Sequence, residues 1–222
     1  MCGRFVVTSA PEAIRRLLRY EEQPNFPPRY NIAPTQPIAI VRVDRGKRHF
    51  ALVRWGLIPS WVSDPRRFAL LINARLEDIE TKRSFRAAMM RRRCLIPADG
   101  FYEWKKVGKD KQPYFVRARD AGPFAFAGLW ETWTDREGGE IETAAIVTCP
   151  ASNALAPIHD RMPVIVPPET YDAWLDTEKV DAKQAATLVG PAPDEFLDAY
   201  EVSTRVNSFQ NDGPENVVPA AP

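Results

Sequence analysis

Apolar residues along this chain alternate with polar ones, or run together, in short stretches that are typical of β-strands. Proline and glycine separate the stretches, and 21 prolines in 222 residues indicate many rigid loops. Residues 101–106 and 112–118 flank a glycine-containing loop and predict a β-hairpin. In full, the pattern predicts strands at residues 4–8, 38–43, 50–58, 94–104, 112–118, 123–133, 142–150, 162–166 and 199–203.

Helical periodicity is confined to short segments. Ile14 and Leu18 fall on one face of a helix predicted over residues 9–20, with Ser9 as its candidate N-cap. Further short helices are predicted at residues 83–93, 152–158, 168–176 and 182–189.

The order of these elements indicates the fold class. Strands follow one another in runs and do not alternate regularly with helices, which predicts an α+β fold. We expect a mostly antiparallel β-sheet core, barrel-like or built of two packed sheets, flanked by short helices. Because the chain contains no repeat or long linker, we expect residues 1–222 to form a single domain, with residues 213–222 as an extended tail.

Composition narrows the class of protein. No apolar run is long enough to span a bilayer and the N-terminus lacks the plan of a signal peptide, so we expect a cytoplasmic protein without a membrane partner. Cys2, Cys94 and Cys149 are widely spaced and include no CxxC pair. This spacing argues against a disulfide framework and a zinc site and fits a reducing compartment. We expect neither a metal nor a cofactor.

The net charge of +1 conceals a separation of charge along the chain. Residues 1–117 contain 24 lysines and arginines against 11 acidic residues, whereas residues 118–222 contain 6 against 18. A basic segment of this size favours a polyanionic partner, and nucleic acid is the leading candidate.

The cysteine directly behind Met1 is the first candidate for chemistry. Aminopeptidase removal of Met1 would expose Cys2 as an N-terminal residue with a free amine and a neighbouring thiol. An α-amine has a pKa of about 7.7–8.0, so a substantial fraction is neutral and nucleophilic near neutral pH. The amine can condense with an aldehyde to an imine, which the thiol then closes to a thiazolidine. The alternative is that Cys2 is an incidental small residue at a frayed terminus.

Glu103 and His159 are candidates for proton transfer. Strand alternation places Glu103 on the same face as Phe101, where partial burial would raise the pKa of its carboxyl group. The alternative is a surface pair with Lys105 or another basic residue. His159 lies in a short loop between two prolines, which suits an acid or base, although a purely structural histidine is the alternative.

Asn73 is a candidate for tying down a loop, and four further residues suit nucleic-acid binding. Asn73 and Arg75 alternate, so they point the same way in an extended segment, and an arginine there suits a phosphate. Arg4 lies two residues from Cys2 and would hold an anion beside the terminal amine. Pro34 and Trp61 lie in loops, where they suit contact with bases, although most tryptophans belong to the core.

Several ordered motifs together resemble one family. They include MCGRF at the start, RYNIAPTQ, RWGLIPSW, INARLE, GFYEWKK, IHDRMPVIV and VSTRVNS. From Cys2 to about Glu215 the chain resembles the SOS response-associated peptidase (SRAP) family of abasic-site processing proteins, which shield damaged single-stranded DNA.

This resemblance implies an SRAP-like fold and a role for each matching residue. Cys2 would crosslink to the ring-opened sugar of an abasic site, and Asn73 would orient it. Glu103 would act as acid and base in sugar opening and imine formation, and His159 would assist proton transfer. The remaining residues would contact DNA, with phosphates held by Arg4, Arg75 and Arg161, and bases by Pro34 and Trp61.

The resemblance also implies a partner: single-stranded DNA that contains abasic sites, including junctions with duplex, bound by a monomer that associates with the nucleoid. A β-elimination (lyase) side path and self-processing at the N-terminus follow from the same chemistry and the family name. Val62 departs from the family pattern, in which a second aromatic often follows the tryptophan, so we expect a smaller wedge there. The alternatives are a cysteine hydrolase that uses Cys2 and His159, and a non-enzymatic single-strand binder.

Overall fold

The computed structural model describes residues 2–220, which form two β-sheets with short helices at their edges. The helices are α1 (Pro11–Leu18), α2 (Arg86–Arg91), α3 (Tyr171–Leu175) and α4 (Ala182–Thr187). The strands in this part of the chain are β1 (Phe5–Val7), β2 (Arg29–Ile32), β3 (Pro37–Asp44), β4 (Lys47–Trp55), β5 (Asn73–Arg75), β6 (Arg93–Ala98), β7 (Gly100–Val107), β8 (Asp110–Ala118), β9 (Phe124–Thr134), β10 (Glu140–Pro150), β11 (Arg161–Pro163) and β12 (Leu197–Glu201).

The first sheet is antiparallel throughout, in the order β12-β8-β7-β1-β2. The second sheet runs β11-β10-β4-β3-β6-β9 and closes on itself because β9 also pairs with β10. Its pairings of β10 with β4 and with β5 are parallel, and the others are antiparallel. The α+β class with a mostly antiparallel, barrel-like sheet is therefore confirmed.

The two sheets share one apolar core. Phe5 of the first sheet packs edge-on against Trp55 and Phe126 of the second, with ring centroids 5.2 and 5.9 Å apart. All three side chains are almost fully buried. This packing holds the first residues of the chain against the barrel.

The predicted hairpin is confirmed as β7 and β8, which join through Gly108 and Lys109. Gly108 has φ of +61°, a left-handed conformation that tight two-residue hairpin turns favour. Because such a turn determines the register, Glu103 pairs with Tyr114. The hairpin thereby sets the face on which Glu103 lies.

Several predicted boundaries are wrong. The predicted strand at 94–104 is two strands, β6 and β7, which belong to different sheets and separate at Asp99. Residues 152–158 form successive turns, not a helix, and the strand predicted at 162–166 is the shorter β11. The first helix is shorter than predicted, and its N-cap is Ala10 instead of Ser9.

Asp99 explains why Ser9 does not cap the helix. The Asp99 carboxylate accepts hydrogen bonds from the backbone N–H of Thr8 at 2.6 Å and of Ser9 at 2.8 Å, and from the Ser9 hydroxyl. It thus joins the end of β1 to the crossing between the two sheets.

Replacing Asp99 with alanine should lower the free energy of unfolding by about 2 kcal/mol, because it leaves several donors without their charged acceptor. Urea unfolding measures this difference. Glu137→Ala, in the exposed loop between β9 and β10, is the control and should change the free energy by less than about 0.5 kcal/mol. Equal values for the two variants would contradict the assigned role of Asp99.

The extended tail predicted at residues 213–222 is also wrong for the part that the structure describes. Residues Pro214–Val217 form a short 3₁₀ helix, Asn216 is fully buried, and Pro219 bridges to Val202. The Tyr200 hydroxyl of β12 donates to the Val217 carbonyl at 2.8 Å and attaches this segment to the first sheet, and the Asn216 amide donates to the Asn211 carbonyl of the preceding loop. No helix of residues 2–220 has the length and apolar character needed to cross a bilayer.

Candidate active site

Residues 2–5 lie beside β7. Phe5 pairs with Phe101, and the backbone N–H of Tyr102 donates to the Arg4 carbonyl at 3.0 Å. Continuing this antiparallel register places Gly3 opposite Glu103, and the charge of Glu103 acts on the neighbouring Cys2 thiol. Cys2 is fully buried, and its thiol lies 3.8 Å from the Arg4 carbonyl. Burial, together with the charge of Glu103, raises the pKa of the Cys2 thiol well above its ordinary value.

Glu103 is a buried carboxyl group, 4% exposed. Its neighbour Phe101 packs in the main core with Cys2, whereas Tyr102 belongs to a separate cluster on the opposite face. The predicted alternation along β7 is therefore confirmed. Burial raises the pKa of Glu103 to about 7, so near neutral pH the group exists in both its acid and its base form.

His159 faces this carboxyl group. Its Nε2 lies 3.9 Å from Oε2 of Glu103, and its Nδ1 accepts the backbone N–H of Arg161 at 3.0 Å. An Nδ1 that accepts a hydrogen bond leaves the proton of the neutral ring on Nε2, toward Glu103. Asp160 Oδ1 is 2.9 Å from Nδ1 and becomes its partner when the ring is protonated. Burial lowers the pKa of His159, which favours the neutral ring near pH 7.

Asn73 holds Cys2 from the other side. It begins β5, whose parallel pairing with β10 places it opposite Ile146. The Asn73 amide donates to the Cys2 carbonyl at 2.9 Å. Its Oδ1 is buried and accepts no hydrogen bond from residues 2–220, so an acceptor remains available beside Cys2.

A cavity of about 350 Å³ opens above Glu103 and His159. Trp104, Lys111 and Asn207 complete its lining, and the Trp104 indole N–H donates to Asn207 Oδ1 at 2.8 Å. The sequence reasoning missed these three as site residues. Trp104 and Asn207 lie in motifs noted above, but only the packing of residues Thr204–Asn207 against the hairpin brings them together.

Known proteins have similar sequences and a similar fold. The family model of the SOS response associated peptidases (SRAP) matches residues 1–209. This chain belongs to the SRAP family.

Its relatives span nearly its whole length. It is 38% identical over 219 residues to the abasic site processing protein YoqW of Bacillus subtilis, covering 97% of this chain and 98% of that protein. It is 34% identical to the abasic site processing protein YedK of Escherichia coli, with 99% and 100% covered. A crystal structure of a Bacteroides thetaiotaomicron protein has the same fold, with a TM-score of 0.86, 27% identity, and 99% and 100% covered.

The three predicted phosphate-binding arginines of this SRAP protein differ in environment. The Arg4 guanidinium donates to Asn31 Oδ1 at 3.1 Å and to the carbonyls of Val206 and Asn207, which attaches the segment beside the cavity. Arg161 is paired with a carboxylate, as described below, whereas Arg75 is exposed. Their predicted contacts with phosphate remain predictions.

Trp61 is 45% exposed on a loop of the SRAP domain. The Arg83 guanidinium lies 4.1 Å above its ring, and Phe68 packs edge-on at 5.5 Å. Val62 is buried against Ile58 and Trp133, so it forms no wedge of any size and that expectation is wrong. Phe68 supplies a second aromatic beside Trp61.

Pro34 lies half-buried in the turn before β3. Thr35, the next residue, has φ of +75°, and its backbone N–H donates to the Trp55 carbonyl at 2.8 Å. This contact ties the turn to the barrel. The predicted contacts of Pro34 and Trp61 with bases remain predictions.

Proposed function

We propose that this protein binds single-stranded DNA and captures abasic sites covalently through Cys2 as the N-terminal residue of the mature chain. One arrangement carries the proposal: Glu103 and His159 line a cavity, and Cys2, held by Asn73, lies beside Glu103. The SRAP relatives that are named abasic site processing proteins support the choice of substrate. Removal of Met1, on which the chemistry depends, lies outside the described residues.

Capture begins with opening of the sugar. The abasic deoxyribose is a cyclic hemiacetal, and its opening needs an acid for the ring oxygen and a base for the anomeric hydroxyl. Glu103, with a pKa near 7, is suited to exchange both protons. The product is the aldehyde that the Cys2 amine attacks.

Imine and ring formation then release one water and involve no oxidation. The amine adds to C1′, and the resulting hydroxyl leaves as water with a proton from Glu103 or His159. The thiol adds to the C=N carbon, and its proton passes to the nitrogen. This order suits the raised pKa of the thiol, because the sulfur remains protonated until the electrophile is adjacent.

Glu103 lines the cavity and also lies beside Cys2, so the cavity is the side from which a DNA strand can approach Cys2. The residue itself is buried in the full chain. We therefore expect its amine to open toward the cavity once it is the first residue, and solvent labelling of that amine measures this.

Asn73 orients the nucleophile. Its amide N–H donates to the Cys2 carbonyl, and its Oδ1, which has no partner among residues 2–220, can accept a hydrogen bond from the Cys2 amine, directing the nitrogen lone pair at C1′. Formation of the carbinolamine at C1′ needs this alignment, since small displacements slow the reaction.

Replacing Asn73 with alanine should slow adduct formation by about 10²-fold, while leaving the affinity for undamaged DNA within about twofold of the original, since only orientation is lost. A time course on a denaturing gel gives the rate, and fluorescence anisotropy gives the affinity. Asn153→Ala, in an exposed turn, is the control. An unchanged rate would remove Asn73 from the mechanism.

Lyase chemistry is a side path. An imine at C1′ acidifies the C2′ hydrogens and permits β-elimination of the 3′ phosphate, and closure by the thiol competes with it. Strand cleavage should therefore be minor for the unmodified protein.

Cysteine hydrolase activity is the less supported alternative. A thiol nucleophile must ionise before it attacks a peptide, and burial opposes ionisation of Cys2. His159 Nε2 also faces Glu103. An acyl-enzyme formed with a peptide ester, without any adduct on an abasic oligonucleotide, would favour it.

The deciding experiment mixes the mature protein with a single-stranded oligonucleotide that contains one abasic site. The expected product is a heat-resistant band on a denaturing gel, with a mass equal to protein plus oligonucleotide minus one water. Its formation should decline with added salt, because phosphate contacts displace counterions. Absence of this product would refute the proposal.

A further inference from the structure

Two arginines approach one residue of β10 from neighbouring strands. Arg75 of β5 pairs with Thr148 in the strand register, and Arg161 of β11 donates through Nη2 to the Thr148 carbonyl at 2.9 Å. Arg75 follows Asn73 by two residues, and Arg161 follows His159 by two. The pair therefore flanks the candidate active site.

A carboxylate already occupies one of these arginines, Arg161. Glu77, in a 3₁₀ helix at Leu76–Asp78, accepts hydrogen bonds from both terminal nitrogens of Arg161, Nη1 to Oε1 and Nη2 to Oε2, the latter at 3.0 Å. These bonds, and the charges of Arg161 and Arg75, lower the pKa of Glu77, which stays ionised. The Arg161 side chain is 12% exposed and that of Glu77 is 47% exposed, so the carboxylate is the partner with a route into water.

We propose that Glu77 competes with DNA phosphate for Arg161 and so limits the affinity of the protein for undamaged strands. This inference rests on the proposed function, because it takes single-stranded DNA as the ligand. A phosphodiester has two unesterified oxygens that match the paired N–H groups of a guanidinium, as a carboxylate does. For the phosphate to bind there, Glu77 must rotate into solvent.

The competition has a consequence for selectivity. An intact strand gains less from Arg161 than it would in the absence of the carboxylate, so it dissociates readily. An abasic strand reacts while it is bound, and covalent capture retains it. Glu77 thus favours release of DNA that carries no aldehyde.

The test measures binding of a labelled, undamaged single-stranded oligonucleotide by anisotropy at one salt concentration. Glu77→Gln should lower Kd about tenfold, equal to about 1.4 kcal/mol. Glu80→Gln, an exposed neighbour without a role in the site, should change Kd by less than about twofold. In an Arg161→Gln background the effect of Glu77→Gln should fall to that of Glu80→Gln, because the competing partner is absent.

Three outcomes would overturn the inference. Weaker binding by Glu77→Gln would mean that the carboxylate positions Arg161 for DNA. Equal changes in Kd for Glu77→Gln and Glu80→Gln would mean that the change arises from net charge alone. An undiminished change in Kd in the Arg161→Gln background would mean that Glu77 does not act through Arg161. If thermal unfolding shows that Glu77→Gln does not fold, Glu77→Asp, whose shorter side chain loosens the pair, should tighten binding in the same direction, and failure to do so counts equally against the inference.

A different result would refute the proposed function. Absence of a covalent product between the unmodified protein and an abasic oligonucleotide refutes capture, whatever Glu77 does to Kd. Normal capture together with an unchanged Kd for Glu77→Gln refutes only the competition.

Discussion

Replacement of Cys2 by alanine should abolish the heat-resistant adduct with abasic DNA while leaving a reversible imine. Alanine keeps the terminal amine but lacks the sulfur that closes the ring. Intramolecular attack corresponds to an effective molarity on the order of 10⁵ M or more, so millimolar external thiol should not restore the adduct. Borohydride reduction, which traps imines, should recover a crosslinked band from the variant.

The same variant should cleave the abasic strand faster than the unmodified protein. Without thiol closure, the imine persists and β-elimination proceeds. A sequencing gel of end-labelled DNA measures this change. The two results together separate the part of the amine from that of the thiol.

Cys94→Ala and Cys149→Ala are the matched controls, since both thiols are free and buried outside the site. Each should retain adduct formation, even where the lost packing lowers stability. A protein preparation whose intact mass still includes Met1 should form no adduct. A heat-resistant adduct of normal yield with Cys2→Ala would refute the mechanism.

Replacing Glu103 with glutamine should slow adduct formation by about 10²–10³-fold, the usual contribution of a positioned acid or base. The rate for the unmodified protein should fall above pH 7, as the acid form of Glu103 is lost, and should fall at lower pH as the Cys2 amine protonates. The glutamine variant should lack the first of these two dependences. Single-turnover rates from pH 5.5 to 9 test both.

Although Glu103→Gln should react more slowly, it should be more stable than the unmodified protein above pH 7. Burial raises the pKa of Glu103 from its ordinary 4.5 to about 7, so between these values the folded chain keeps a proton that the unfolded chain releases. The stabilisation is complete below pH 4.5 and is lost as the pH rises to 7, a difference of about 3 kcal/mol. Glutamine resembles the protonated acid, so Glu103→Gln should unfold at a higher temperature than the unmodified protein at pH 8 and at a similar temperature at pH 4.

Glu131→Gln is the control for this variant. Glu131 is equally buried and burial raises its pKa too, but it pairs with Arg92 at 3.3 Å and lies outside the cavity lining. Its replacement should alter stability without changing the rate of adduct formation. If both glutamine variants slow the reaction equally, the effect on Glu103 is structural, and its catalytic assignment is wrong.

Local patterns in the sequence determined the elements and the identity of the reactive groups. Alternation and turn residues predict the β7–β8 hairpin and the face that Glu103 shares with Phe101, because side chains alternate in any strand. Residue chemistry and the resemblance of ordered motifs to the SRAP family are likewise enough to identify four candidate site residues, Cys2, Asn73, Glu103 and His159.

Tertiary structure decided what surrounds each group. Ser9 resembles an N-cap until Asp99, 90 residues away, binds it instead. Residues 213–220 read as a tail because their attachment to Asn211, Tyr200 and Val202 depends on contacts that no local pattern records. Val62 reads as an exposed wedge, yet it packs beneath Trp133.

The protonation states and ion pairs of the site also depend on the tertiary structure. A sequence shows that Glu103 and Arg161 carry ionisable groups, but their pKa values and partners depend on burial and on charges brought close by the fold. The Glu77–Arg161 pair joins residues 84 apart in the chain, across β5, β10 and β11. Residue types therefore determined which reactions are available to this protein, whereas packing decided which groups meet, which stay protonated and which anion holds Arg161.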